Sequence, residues 1–339
     1  MAHTRISDNM PPEIDPTKAP VAFGKRALPK LIEELESPEL LNQQRALMTL
    51  CDLLHNPENV YQAIEIGLMD NLKTLLLHHD STVRQKTTQI FHIMVTHHVG
   101  RQGLIKNGVI SALTKLMDDP VDICRKNTHH IFETMAKLPE GAVGILHAGL
   151  VPLLVFKLKT ESDEIQELIL DTLSNCLHVE AAEALAAGAV TILKEKLTHS
   201  SAAIRSKAAW VLLGIGTHPE GKSVLCEEVT PLLVNLLEDT DPEVQAAATG
   251  ALMFATIKPQ GRFSALGAAA IPPLLKLVAE ETSKARLSAI KTLTMLAELP
   301  EGRKTLLDHI DTFQQCLNDP CEAVKRAAKI AISVIKWKP

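Results

Sequence analysis

Residues 108–141 read GVISALTKLMDDPVDICRKNTHHIFETMAKLPEG, and the pattern returns along most of the chain. Similar openings stand at Gly67-Leu68-Met69, Gly149-Leu150-Val151 and Gly188-Ala189-Val190, and the phase continues at Glu228, Ala269 and Asp308 and back to Arg26. Starts at 26, 67, 108, 149, 188, 228, 269 and 308 lie 41, 41, 41, 39, 40, 41 and 39 residues apart. A period of that length marks a protein of stacked repeats.

Fixed offsets from each start test the register. Five residues on stands a large apolar side chain, from Leu31 through Leu113 to Phe313; nine on, from Leu35 through Met117 to Leu317; twenty-four on, from Leu50 through Leu212 to Ile332. Offsets five and nine share one face of a short helix. Offset twenty, often alanine (Ala46, Ala208), joins twenty-four and twenty-seven on a second helix of roughly 15 residues. Asp119-Pro120, Asp241-Pro242 and Asp319-Pro320 read as an N-cap followed by proline at the first helical position. Proline at offset thirty-one (Pro57, Pro139, Pro219, Pro259, Pro300), with Gly141, Gly221, Gly261 and Gly302 two residues later, stops the long helix and opens a short third one. Three helices in ~40 residues predict an all-α, armadillo-repeat right-handed superhelical solenoid of about eight repeats, spanning 26–339. Each repeat buries its apolar stripe only against its neighbours, so the last helix needs a polar cap or a partner on its open side.

Residues 1–25 lie outside the period. Pro11, Pro12, Pro16 and Pro20 exclude a helix there and favour an extended arm, either laid along a partner or left as a tail.

Composition narrows the function. Hydrophobic residues form 46% of the 339, aromatics only 3%, which suits helices better than a β-sandwich. A net charge of −5 and a pI near 6.3 argue against nucleic acid or anionic membrane as partner. The six cysteines form no CxxC pair, no Asn-x-Ser/Thr acceptor occurs, and no apolar run approaches a membrane span. These features together lead to the expectation of a cytoplasmic protein with reduced thiols. Cys124 and Cys176 fall at core offsets, and Cys316 and Cys321 flank a turn. Adjacent histidines such as His129-His130 point ~100° apart on a helix and do not chelate together. Phosphate-loop, nucleophile-elbow and zinc-protease patterns are missing, so no enzyme, cofactor, metal or small-molecule substrate is expected.

The third helices of such arrays are expected to line a concave face, which in nuclear-import adaptors carries Asn preceded four residues earlier by Trp. Here that offset reads Asp52, Ile93, Thr134, Asn175, Gly214, Phe254, Met295 and Val334, and the single Trp in the preceding position, Trp210, faces Gly214. The face is not built to clamp basic peptides. Trp210, Phe254, Met295 and Val334 are instead expected to take a partner segment with hydrophobic anchors.

Four segments, TKAPVAFG at 17–24, GALMFAT at 250–256, TLTMLA with PEGRK at 292–304 and RAAKIAISVI at 326–335, resemble the radial spoke head 14 family, the rhabdoid tumour deletion region proteins. The likeness runs the length of the chain, and the arm is its most specific part. It implies a non-catalytic scaffold in the axonemal radial spoke of motile cilia and sperm flagella, with other radial spoke proteins as partners. A soluble adaptor of the catenin or nuclear-import kind is the alternative.

Overall fold

A computed structural model describes residues 24–280 and 284–338. The arm prolines Pro11, Pro12, Pro16 and Pro20 lie outside the described residues. The chain forms two compact units, 1–150 and 151–339. Every regular element among the described residues is helical.

The first unit holds the repeats starting at 26, 67 and 108, and the second holds the other five. The repeat from 67 shows the plan: a short helix Leu68–Leu75, a long helix Ser81–Val95 and a third helix His98–Lys106. The residue at offset five is fully buried in all eight repeats, from Leu31 to Phe313. Offset twenty-four is fully buried in seven, and Ile332 of the last repeat is half-buried. Burying such a leucine stabilises the fold by about 2 kcal/mol.

Backbone geometry explains the repeated glycines. Gly67, Gly108, Gly149 and Gly188 turn the corner into the short helix with φ between +65° and +90°, a left-handed conformation that suits glycine. Ala269 takes the same corner at φ +59°. At Glu228 no such corner exists, because a π-helical turn Leu225–Val229 runs directly into the helix Thr230–Asn235. The glycine of Pro-Glu-Gly serves close approach. A Cβ on Gly221 would lie 2.0 Å from the carbonyl oxygen of Ile215, in the last turn of the preceding long helix. A basic residue after such a glycine can cap the end of the preceding long helix: past Gly261, Arg262 donates to the carbonyls of Thr256 and Ile257, at the end of Pro242–Ala255, at 3.0 and 2.9 Å.

The three Asp-Pro pairs divide. Asp241 caps the helix Pro242–Ala255 as expected, accepting from the Glu243 N–H at 2.8 Å. Asp119 and Asp319 do not, since the helices that follow them start at Asp122 and Glu322, with Val121 and Cys321 at the N-cap. They stand at offset eleven, where the matching residue is Asp239, two positions before Asp241. These three carboxylates pair with Arg84, Arg205 and Arg286 at offset seventeen of the preceding repeat. The clamp therefore ties neighbouring repeats together. Repeats without arginine at that offset keep half the device: Gln43 and Gln245 brace only their own turn, donating to Ser37 and Asp239 carbonyls.

Threonines account for much of the buried polarity. Thr87, Thr128, Thr172 and Thr292 each donate to the carbonyl four residues earlier in their own helix at 2.8 Å.

Candidate partner-binding face

In the second unit the long helices Asp163–Leu177, Ala202–Gly216, Pro242–Ala255, Arg286–Leu296 and Glu322–Ile335 stand side by side. Small residues set how closely they approach. A Cβ on Gly214 would sit 3.5 Å from the Ser174 carbonyl oxygen, and one on Gly250 only 2.6 Å from the Leu213 side chain. Phe254 uses the same kind of gap, for its Cβ lies 2.9 Å from where a Cβ of Gly216 would be. Phe254 is accordingly half-buried, seated against the preceding repeat. Ala251 and Ala255 flank it and are themselves buried, so the room comes from Gly216.

Trp210 has no such recess and keeps 40% of its surface exposed. One turn earlier on the same helix, Lys207 reaches back to Asp171 at 2.7 Å and Glu167 at 3.3 Å. Burial works against the charge on Lys207, but the two carboxylates outweigh it and hold its pKa above the ordinary value. Trp210 thus stands beside a fixed ionic triad. Asn175 donates to the Asp171 carbonyl at 2.8 Å within its own helix. Met295 and Val334 are half-buried. The structure therefore leaves Trp210 the most open of the five residues singled out in this unit.

Exposed side chains near the ladder position that escaped the sequence reading include Ile257, Ile330 and Trp337. Ile330 shares the offset of Trp210, and Ile257 and Trp337 lie three residues past the ladder position. Reading one helical turn on either side of that position would have found them.

The first unit presents a different surface. His92 and His130 stack with centroids 4.8 Å apart and planes 8° from parallel, and Asn127 donates to the Thr88 hydroxyl at 3.1 Å. Burial, then the neighbouring His130, pulls the His92 pKa below its ordinary value. Among the described residues, no three His, Cys, Asp or Glu side chains gather as a metal site. No single described helix is long and apolar enough to cross a membrane.

Residues 190–294 match the family of HEAT repeats. An engineered protein from a structural genomics consortium superposes with a TM-score of 0.83 at 24% identity, covering 91% of this chain and 78% of its own. The chain has an all-helical repeat fold like that of armadillo repeat proteins. Computationally designed armadillo repeat proteins for modular peptide recognition match with a TM-score of 0.63 at 26% identity, over 67% of this chain and 99% of theirs. A designed armadillo repeat protein in complex with the peptide (KR)4 gives 0.62 and 25% over the same shares. The armadillo/HEAT-like fold is suited to binding other proteins along the exposed faces of its helices.

Proposed function

We propose that this chain is a non-catalytic scaffold that holds neighbouring proteins, with its place in the axonemal radial spoke of motile cilia and flagella. The observation that carries the scaffold reading is Trp210, a large aromatic left open beside the Lys207, Asp171 and Glu167 triad on a repeat fold suited to protein partners. Aromatic side chains with a fixed polar surround are frequent anchors of protein interfaces. The spoke assignment rests on the four resembling segments, the arm at 17–24 above all.

Detergent extraction of ciliated cells tests it. A spoke subunit stays with the demembranated axoneme and leaves only under conditions that dissolve spokes. Recovery of the whole pool in the detergent wash would instead point to the soluble adaptor.

A further inference from the structure

The open side of the last repeat answers the question of cap or partner in an unexpected way. Twenty-one residues into each repeat stands a side chain that is fully buried in the seven preceding repeats, Leu47 first and Ile290 last. In the last repeat it is Lys329, exposed. Offset twenty-eight runs from Leu54 to Ala297, buried throughout, and ends in exposed Lys336. Within each unit these offsets meet the following repeat, as Gly216 meets Phe254 and Thr88 accepts from Asn127, so lysine at both gives the last repeat a polar face.

Solubility alone does not choose the sign. Either charge keeps an end face wet, and carboxylates do so better than amines. Yet residues 322–338 carry Lys325, Arg326, Lys329, Lys336 and Lys338 against the single carboxylate Glu322, in a chain of net charge −5. Glu322 is already engaged by Lys325 at 3.2 Å. Two large apolar side chains stand open next to these lysines in sequence, Ile330 within the helix at 59% and Trp337 just past it at 56%, and Arg303 lies 4.9 Å over the Trp337 ring.

We infer that this C-terminal end face docks an acidic polypeptide segment whose apolar side chains cover Ile330 and Trp337. Cations outside an apolar centre select an acidic partner and speed its encounter. The preference is opposite to that of the solved relative bound to (KR)4. The inference rests on the scaffold reading only in taking a protein as occupant, and it is independent of both Trp210 and the spoke.

The full-length protein is titrated with a labelled peptide of alternating Glu and Leu, with (KR)4 as the reversed-charge control, and with phosphatidylserine vesicles. Saturable binding of the Glu-Leu peptide is expected, weakened by added salt and weakened about tenfold or more by Lys329→Glu with Lys336→Glu. Lys329→Gln with Lys336→Gln removes charge without adding any and should weaken binding as well, which separates lost charge from any unsettling of the helix by glutamate. Trp210→Ala leaves this binding unchanged. Failure to bind, equal binding of (KR)4, or indifference to the lysine substitutions overturns the proposal. So does loss on Trp210→Ala alone, which moves the site to the groove. Capture by vesicles but not by the peptide makes the face a lipid surface, and self-association abolished by the lysine changes makes its occupant a second copy.

Discussion

Arg205 holds Asp239 with two nitrogens at once, Nε at 2.8 Å from one carboxylate oxygen and Nη2 at 2.9 Å from the other. The two residues are 34 apart in sequence and belong to successive repeats. The same guanidinium donates to the carbonyls of His199 and Ser200, so one side chain fixes both its own turn and the next repeat. Both partners are mostly buried, and removing one leaves the other without its counter-charge, at a cost of about 3 kcal/mol. Arg205→Ala is therefore expected to lower stability by about that amount in urea unfolding. Arg205→Gln, which mimics Gln43 and Gln245, keeps the brace and should lose less. Equal losses would show that the turn brace contributes nothing beyond the ion pair.

The clamp also fixes a pH dependence. The Arg205 guanidinium, acting against a smaller opposing effect of burial, holds the Asp239 carboxyl below its ordinary 3.8. A carboxyl lowered on folding adds stability that is present above the unfolded value and lost as pH falls through the folded one. The advantage of the unaltered protein over Arg205→Gln should thus be full near about pH 6 and shrink at about pH 3. Urea midpoints of both proteins at the two pH values measure it, and a constant difference would contradict the pairing.

Ala269 and Gly221 separate strain from crowding. Ala269 sits at φ +59° without glycine's freedom, so Ala269→Gly is expected to raise the melting temperature, by about 1 kcal/mol of relieved strain. Gly221→Ala places a carbon 2.0 Å from the Ile215 carbonyl oxygen, and the helices must part to admit it. A loss of about 3 kcal/mol or more is expected there. Thermal melts of the two variants should move in opposite directions.

Thiol chemistry should single out one cysteine of six. Burial pushes the pKa of Cys51 and Cys176 up to about 12 and that of Cys124 to about 11, and Cys226 and Cys316 are buried as well. Cys321 is exposed. A disulfide reagent at about pH 8 should label Cys321 promptly in the folded protein and all six in denaturant. Rapid labelling of a second thiol would show a repeat opening locally.

Trp210→Ala tests the groove. With 40% of the ring exposed, its truncation should leave the melting temperature nearly unchanged while, under the proposed spoke assignment, weakening recruitment to the axoneme. An anchor of this kind commonly contributes about 2 kcal/mol or more to binding. A large loss of stability would make Trp210 a packing residue and remove the groove site with it.

Periodicity made the fold legible because burial between repeats imposes the same demand eight times over. Leu31, Leu113 and Phe313 announce themselves by spacing alone. Asp119 and Asp319 misled because Asp-Pro is a local signal of a cap, whereas the arginine that claims each carboxylate lies 35 and 33 residues away. The binding face was legible in part. Trp210 stands out as an aromatic at a known offset, but the half-burial of Phe254 depends on Gly216, in a different repeat. Lys329 and Lys336 look like ordinary surface residues until their burial is compared across the repeats.

The buried threonines carry a mechanical consequence. Thr87, Thr128, Thr172 and Thr292 direct their hydroxyls to a carbonyl of their own helix, so none of these bonds crosses to a neighbouring repeat. Contacts of dispersion type tolerate small slips that directional bonds would resist. Back-bonded threonine also loosens the ladder of its own helix and lets it bow. Within each unit the stack can therefore yield elastically under load, like leaves of a spring pinned at the arginine clamps and at cross-repeat bonds such as those of Asn127 to Thr88 and Lys207 to Asp171.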